Sequence, residues 1–166
     1  MRRPLKYIWP AFVWAIAVSL FSTKYFSSSY TAGIIIPILH HLFPNWSADT
    51  VFLVHHLIRK TAHFVEYFIL SLLLLRAVRA ERKGFTWRWA LAALALAAGY
   101  AALDEFHQFF VPGRTASPWD VLLDTCGALM AQLWAAWRGR RGATGDPASD
   151  AQPGATHHLE AATRRP

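Results

Sequence analysis

Cysteine is almost absent from this sequence, and its scarcity excludes the chemistry of disulfides and thiol nucleophiles. Cys126 is the only cysteine among the 166 residues, so the chain cannot form an internal disulfide. No basic residue lies near Cys126 in the sequence to favour a thiolate, and no serine sits in a Gly-x-Ser-x-Gly turn. The sequence therefore gives no support to a nucleophilic triad.

Charged residues are also scarce, at 16%, whereas 54% of the residues are hydrophobic. The apolar residues form long blocks and short alternating strands are missing, so helices are the structure expected to cross a bilayer. Each block approaches the roughly 20 residues that span about 30 Å of hydrocarbon. We therefore predict an all-α membrane bundle of four transmembrane helices. The blocks are Leu5 to Phe21, Ala62 to Val78, Trp87 to Val111 and Pro118 to Trp137.

The basic residues predict how this bundle is oriented. Most of the 17 Lys and Arg lie before the first block, between the second and third, and after the fourth. By the positive-inside rule both termini are then cytoplasmic, and the first block is an uncleaved signal-anchor helix. A net charge of +7 would raise the question of nucleic acid in a soluble protein, but this distribution decides against it. The predicted partner is the lipid bilayer.

The segment between the first two blocks, from Ser22 to Arg59, is too apolar for a solvated loop. Its cluster of isoleucines predicts a short helix lying in the membrane interface. Ser47 is a suitable N-cap for the helix that follows, and from Ala48 to about Arg79 nothing interrupts a helical pattern. The second transmembrane helix therefore either projects above the membrane or consists of two helices with a bend near Arg59.

The third and fourth transmembrane helices are predicted to form a hairpin. Pro112-Gly113 ends the third helix, and Pro118 begins the fourth with Ser117 as its cap. Small residues on one face of the third helix allow close packing against a neighbour. These residues are Ala90, Ala93, Ala97 and Ala101.

The composition changes after Trp137, because no aromatic residue follows it and Gly, Ala, Asp, Pro and Thr dominate. Such a segment cannot bury enough apolar surface to become ordered. We therefore predict a membrane domain over residues 1–137 and a disordered cytoplasmic tail over residues 138–166.

Seven ionisable groups lie inside these apolar blocks or at their edges, where a charge costs on the order of 3 kcal/mol. Such groups must face each other, water or a ligand, so they form the candidate site. At about 1.5 Å per residue, Glu66, Asp104 and Asp124 lie at similar depths below the outer surface. We predict a shallow acidic cavity that opens outward, with Lys60 and Arg114 at its rim. The seven groups are His63, Glu66, Asp104, Glu105, His107, Asp120 and Asp124.

Helical spacing predicts which polar residues face this cavity. Asp120 and Asp124 share one face of the fourth helix. On the third helix Asp104 and Gln108 face the cavity, whereas either Glu105 or His107 points elsewhere because the four residues spread too widely. One face of the second helix holds Lys60, His63, Glu66 and Tyr67.

Simpler roles remain open for several of these residues. Asp120 has capping-box spacing from Ser117, and Lys60 has a stem long enough to snorkel to the interface. Arg114 has either phospholipid headgroups or Asp120 as an alternative partner. The buried carboxylates would also suit a purely structural network.

A metal site is chemically admissible, since a three-residue helical spacing presents a carboxylate and an imidazole to one ion. The motif is short and frequent by chance, so we predict no metal. The residues of this alternative are His63, Glu66, Asp104 and His107.

Three motifs lie at helix ends, in a fixed order along the chain. They are RKTAHFVEYF from Arg59 to Phe68, DEFHQFFVPGR from Asp104 to Arg114, and DVLLDTCG from Asp120 to Gly127. Together they resemble the VanZ-like family of bacterial membrane proteins, with coverage from about Leu5 to Trp137. The third motif departs from the family at Asp124, where the family often has Asn.

The resemblance implies a four-helix, multi-pass protein of the bacterial inner membrane. The family takes its name from an accessory protein associated with resistance to the glycopeptide antibiotic teicoplanin. The resemblance implies no particular reaction, substrate or cofactor.

Our leading hypothesis is that the cavity binds or processes an amphipathic cell-envelope molecule, such as a lipid-linked precursor or a phospholipid. In an enzymatic version Glu66 or Asp104 is the general base and His63 is the proton shuttle. The residues expected to bind substrate are Lys60, Tyr67, Glu105, Gln108, Arg114, Asp120 and Asp124.

The alternative hypothesis is a non-catalytic membrane interaction module whose polar cluster is structural. Ion or proton translocation would require polar groups in the inner half of the bundle. The sequence offers almost none there, so translocation ranks last.

Overall fold

The computed structural model describes residues 5–112, 114 and 116–143, and this part of the chain contains helices and no strand. A short 3-10 turn at Lys24–Phe26 follows the first helix. Residues 138–143, which were predicted to belong to the disordered tail, continue the last helix, and the tail from position 144 onward lies outside the described residues. The helices are α1 at Leu5–Phe21, α2 at Ser28–Leu42, α3 at Ala48–Arg79, α4 at Trp87–Gln108 and α5 at Pro118–Ala143.

Local sequence signals account for where several helices begin. Ser47 is the N-cap of α3, and its side chain accepts a hydrogen bond from the Thr50 amide, as expected from the sequence. The Ser117 hydroxyl accepts from the Trp119 amide at 3.3 Å, and Pro118 occupies the first position of α5. α4 ends at Gln108, before the Pro112-Gly113 pair that was predicted to end it.

The segment between the first two apolar blocks folds into two elements. α2 is the short helix that its isoleucines predicted, and Ser27 caps its first turn. α3 is a single helix of 32 residues, not two. At about 1.5 Å per residue it is roughly 48 Å long, which exceeds the thickness of the hydrocarbon layer.

Two of these helices are long and apolar enough to cross a membrane by length and composition. They are α3 and α4, and α1 is a shorter apolar helix of 17 residues. Large apolar side chains are widely exposed, up to 75% for Trp119 and 72% for Phe109. An exposed apolar surface of this extent suits a lipid environment better than water.

α3 lies at the centre of the bundle and packs against α1, α2, α4 and α5. It runs in the same direction as α5, because His63 faces Asp124 near one end and Ser71 bonds to Gln132 towards the other. α1 runs parallel to α4, because Ala15 bonds to Tyr100 and Ser22 to Asp104. The long helices therefore alternate in direction along the chain.

Small residues set the distance between the packed helices. The alanine face of α4 is buried, as predicted, from Ala90 to Ala101. On α5, a Cβ placed at Gly127 would collide with the backbone carbonyl of Phe64. α3 and α5 therefore approach closely at this level, directly beneath the polar residues of both helices.

One polar contact in the far half of the bundle was missed in the sequence. Gln132 on α5 is 1% exposed and donates to the Ser71 hydroxyl at 2.7 Å and to the Ser71 carbonyl at 3.1 Å. Ser71 in turn donates to the Ala128 carbonyl. These bonds join α3 to α5 away from the candidate site.

Candidate functional site

The predicted site residues meet at one end of the bundle, where α1 and α4 end and α5 begins. α3 crosses this end halfway along its length, so its central turns supply Lys60, His63, Glu66 and Tyr67. Within this region the polar side chains divide into two groups with different hydrogen bonding.

The first group, which we call the saturated network, consists of Ser22, Asp104, Gln108 and Arg114. Arg114 Nε is its one buried atom without a hydrogen-bond partner in the described residues. The Asp104 carboxylate accepts from the Ser22 hydroxyl at 2.6 Å and from the Gln108 amide at 3.0 Å. The Gln108 oxygen accepts from Arg114 Nη1 at 3.2 Å. Asp104 and Gln108 are both buried, so these bonds connect α1, α4 and the α4–α5 connection inside the protein.

Arg114 also binds the end of α1. Its Nη2 donates to the backbone carbonyls of Phe21 and Thr23. Burial, followed by the nearby charge of Arg59, lowers the pKa of the Arg114 guanidinium, but an arginine stays protonated in proteins. A permanent cation therefore lies at the C-terminal end of a helix, where its charge is favourable.

The second group, which we call the unsaturated group, consists of His63, Tyr67 and Asp124. His63 Nδ1 lies 3.5 Å from Asp124 Oδ1, which is an ion-pair distance but too long for a good hydrogen bond. These two buried atoms and the buried Tyr67 hydroxyl have no hydrogen-bond partner in the described residues. Tyr67 and Asp124 are 0% and 2% exposed. Such groups are costly to bury unpaired, so their hydrogen-bonding capacity points to a functional role.

Two other predicted residues form an ion pair at the rim. Lys60 on α3 donates to the Asp120 carboxylate on α5. The pair is partly exposed, and it gives Lys60 a protein partner in place of the membrane interface. The pairing also shows that Asp120 uses its side chain to join the two helices.

Helical spacing left open whether Glu105 or His107 points away from the polar residues, and their burial decides between them. Glu105 is 6% exposed and accepts the Ser117 backbone amide, whereas His107 is exposed. His107 is therefore the residue that points away. In a capping box the Asp120 carboxylate would accept the Ser117 amide. Here the Glu105 carboxylate accepts it instead, at the start of α5.

A cavity of about 290 Å³ opens beside these groups, between α1, α2, α3 and the α4–α5 connection. Its charged lining residues are Arg59, Glu66 and Arg114. Its apolar lining residues are Phe21, Phe26, Ile35, Ile58 and Ala62.

A second, more polar cavity of about 130 Å³ shares three residues with the first, namely Arg59, His63 and Arg114. Lys60, Gln108 and Asp120 complete its polar wall. The two cavities therefore form neighbouring parts of one site, one part mainly apolar and the other mainly polar.

Arg59 is the site residue that the sequence reasoning did not single out. It lines both cavities and makes no hydrogen bond within the described part of the chain. A signal was available, because Arg59, His63 and Glu66 follow helical three- and four-residue spacing and fall on one face of α3. Ser22 and the Phe21 carbonyl were also missed, and no local pattern identifies them.

The described residues contain no group of three His, Cys, Asp or Glu side chains arranged to hold a metal ion. The residues of the metal alternative are dispersed, because His107 is exposed while Asp104 bonds to Ser22 and Gln108. The site is therefore described by its hydrogen bonds and cavities.

The fold and the site together define the class of this protein. It is an α-helical membrane protein with a buried polar site at one end of its bundle. The sequence model of the VanZ/LLP1 family matches residues 7–138, and the chain belongs to this family. Comparisons with curated proteins and with solved structures gave no match.

Proposed function

We propose that this protein binds the anionic headgroup of an amphipathic cell-envelope molecule in the cavity beside Glu66. In this proposal α1, α3, α4 and α5 all cross the bacterial inner membrane, both termini are cytoplasmic, and the site opens outward. The alternating directions of the four helices and the positions of the basic residues support this topology.

The observation that carries the proposal is that apolar and cationic side chains line the same cavity. Phe26, Ile35 and Ile58 offer a surface for a hydrocarbon chain, and Arg59 and Arg114 line the cavity with them. A phosphate or carboxylate attached to such a chain would place its charge against the guanidinium groups. A soluble anion has no hydrocarbon part that could contact the apolar side chains.

The charges that line the two cavities favour an anion. Lys60 is neutralised by Asp120, and Arg114 donates to uncharged oxygen atoms of Gln108, Phe21 and Thr23. Arg59 has no hydrogen-bond partner in the described residues. Asp104 and Asp124 are not lining residues, so the only carboxylates that line the two cavities are those of Glu66 and Asp120. The cations of Arg59, Lys60 and Arg114 outnumber them by one, which leaves the lining with a net positive charge.

Glu66 and His63 give the proposal a route to chemistry as well as binding. Glu66 lines the larger cavity and His63 lines both, so a bound headgroup would lie near a carboxylate and an imidazole. Asp104 already accepts two hydrogen bonds and is not a lining residue. Among the three predicted acid–base residues, we therefore assign proton transfer to Glu66 and His63 and a positioning role to Asp104.

The test is retention of a lipid by the full-length protein and by its Arg59→Gln variant, measured by native mass spectrometry in detergent. The probes are a phosphatidylglycerol and a polyprenyl diphosphate, compared with a phosphatidylcholine. The two anionic probes distinguish a phospholipid from a lipid-linked precursor. We expect Arg59→Gln to weaken anionic-lipid retention about tenfold, which is the scale of one charge-assisted pair.

Arg88→Gln is the matched control, because Arg88 is an exposed arginine at the opposite end of the bundle. It should leave retention at this site unchanged. Equal retention by the wild-type and Arg59→Gln proteins, or equal binding of phosphatidylcholine, would overturn the proposal.

The second candidate function is a non-catalytic interaction module, and the saturated network favours it. Ser22, Asp104 and Gln108 satisfy one another inside the protein, as a purely structural cluster would. Glu66→Gln discriminates between the two functions, because the Glu66 side chain has no hydrogen bond in the described residues. A folded variant with stronger retention of anionic lipid supports the binding function, because the headgroup then meets one carboxylate fewer, whereas unchanged retention favours the module.

A further inference from the structure

Another cavity, of about 580 Å³, lies at the opposite end of the bundle from the candidate site. The last turns of α3, the start of α4, the far part of α5 and the α3–α4 connection surround it. We call it the basic pocket, and its charged lining residues are Arg76, Arg79 and Arg138. No Asp or Glu occurs among its lining residues.

The lining of the basic pocket changes from apolar to charged along the helix axes. Leu72 and Leu75 lie about one turn nearer the middle of the bundle than Arg76 and Arg79 on the same helix. Arg138 likewise lies about one turn beyond Trp134 on α5. Because α3 and α5 run in parallel, the arginines of both helices meet at the bundle end and the apolar residues lie deeper.

Aromatic rings and a packed loop complete the pocket. The Arg138 guanidinium lies 4.9 Å from the centroid of the Trp134 ring, and Trp89 forms part of the wall. A Cβ placed at Gly139 would lie 3.1 Å from Phe85, so the α3–α4 connection packs directly on α5. Arg79 donates to the Gly84 carbonyl at 3.4 Å, which further fixes this connection.

The nearest acidic side chain of the connection does not cancel the pocket's charge. Glu81 forms an ion pair with Lys6 at 3.4 Å and is not a lining residue. The three guanidinium groups therefore present a net positive charge, with tryptophan rings at the level where a membrane interface would lie.

We infer that the basic pocket binds the headgroup of an anionic phospholipid in the leaflet opposite the candidate site. Its phosphate meets Arg76, Arg79 and Arg138, and the first part of its acyl chains contacts Leu72 and Leu75. A free phosphate ion would use the arginines but not the apolar depth of the pocket, which is why the occupant is a lipid. This site is separate from the one in the proposed function.

The test compares two triple variants of the full-length protein by native mass spectrometry in detergent, with phosphatidylglycerol and phosphatidylcholine of equal chain length. The pocket variant is Arg76→Gln, Arg79→Gln and Arg138→Gln. The control variant is Lys83→Gln, Arg88→Gln and Arg140→Gln, which removes three exposed cations at the same end of the bundle that do not line the pocket. We expect phosphatidylglycerol to bind the pocket variant at least about tenfold more weakly and the control variant as it binds wild type.

Equally weakened phosphatidylglycerol binding in both triple variants would overturn the inference, because the lipid would then be attracted by the overall positive charge of this surface and not by the pocket. Displacement of the lipid by excess glycerol 3-phosphate would overturn it in favour of a site for free phosphate. If the pocket variant does not fold, single Arg138→Gln against single Arg140→Gln decides the same question. Wild type is expected to retain two phosphatidylglycerol molecules, one at each site. Arg59→Gln and the pocket variant should each lose one of them, and a variant that combines both changes should lose both, so failure here and failure of the proposed function give different results.

Discussion

Asp104 and Asp124 are both buried aspartates at the same end of the bundle, yet their surroundings differ. Asp104 accepts hydrogen bonds from a hydroxyl and an amide, at 2.6 and 3.0 Å. Asp124 Oδ1 has only His63 at 3.5 Å and no hydrogen bond within the described residues. One aspartate therefore holds helices together, and the other keeps its capacity to interact with something else.

This difference indicates how a small membrane protein can combine a stable fold with buried polar atoms that keep their hydrogen-bonding capacity. Hydrogen bonds completed inside the protein offset the cost of burying a carboxylate, and they stabilise the fold. Polar atoms left without partners do not stabilise the fold, so a functional reason for them is expected. The following predictions test whether the saturated network and the unsaturated group really differ in this way.

The largest effect is expected for Asp104→Ala, compared with Asp124→Ala. Removing Asp104 leaves the Ser22 hydroxyl and the Gln108 amide without their acceptor, which costs about 3 kcal/mol. Asp124→Ala should cost about 1 kcal/mol or less, because no completed hydrogen bond is lost. The measurement is the free energy of unfolding in detergent, followed by tryptophan fluorescence. Equal losses for the two variants would remove the distinction between the groups.

The next largest effect is expected for Gly127→Ala. The added methyl group would collide with the Phe64 carbonyl, so α3 and α5 must separate, at a cost of about 2 kcal/mol. Gly99→Ala on α4 is the control, because no atom lies within 4 Å of the position that its new Cβ would take. It should be neutral or slightly stabilising. Thermal unfolding of both variants, together with lipid retention, shows whether the unsaturated group needs the close approach of the two helices.

A smaller effect distinguishes two tyrosines. The Tyr100 hydroxyl bonds to the Ala15 carbonyl and the Ser19 hydroxyl, both at 2.6 Å, so Tyr100→Phe should cost about 1 kcal/mol. The buried Tyr67 hydroxyl has no partner among the described residues, so Tyr67→Phe should be neutral or stabilising. Chemical denaturation of the two variants checks the difference. A clear loss of stability in Tyr67→Phe would contradict this prediction, because it would show that the Tyr67 hydroxyl makes a hydrogen bond that stabilises the fold.

The smallest effect is expected for the ion pair at the rim. Lys60 and Asp120 are 30% and 16% exposed in their side chains, so solvent screens their attraction. A double-mutant cycle with Lys60→Met and Asp120→Asn should give a coupling energy of about 0.5 kcal/mol that falls with added salt. A coupling above about 2 kcal/mol would make this pair part of the structural framework rather than of the rim.

Features that depend on neighbouring residues in the sequence were predictable. The caps at Ser47 and Ser117, the buried alanine face of α4 and the helix between the first two apolar blocks follow from local rules. Helical spacing also placed His63, Glu66 and Tyr67 on a shared face. These signals act over one or two helical turns, so a single sequence reveals them.

The hydrogen bonds between distant parts of the chain were not predictable. Ser22 and Asp104 are 82 residues apart, and Arg114 reaches Phe21 over 93 residues. Which of Glu105 and His107 faces inward depends on the Ser117 amide across the α4–α5 connection. Such pairings depend on how the helices pack, so spacing along one helix left the choice open.

The contact between Arg114 and the end of α1 has a consequence for biogenesis. Phe21 is the last residue of the first helix, and its carbonyl meets its partner only after the ribosome has added residue 114. The C-terminal end of the first helix therefore lacks this donor until the connection between α4 and α5 has been made. A chain that stops short of residue 114 would contain the whole first helix and still lack the bond at its end.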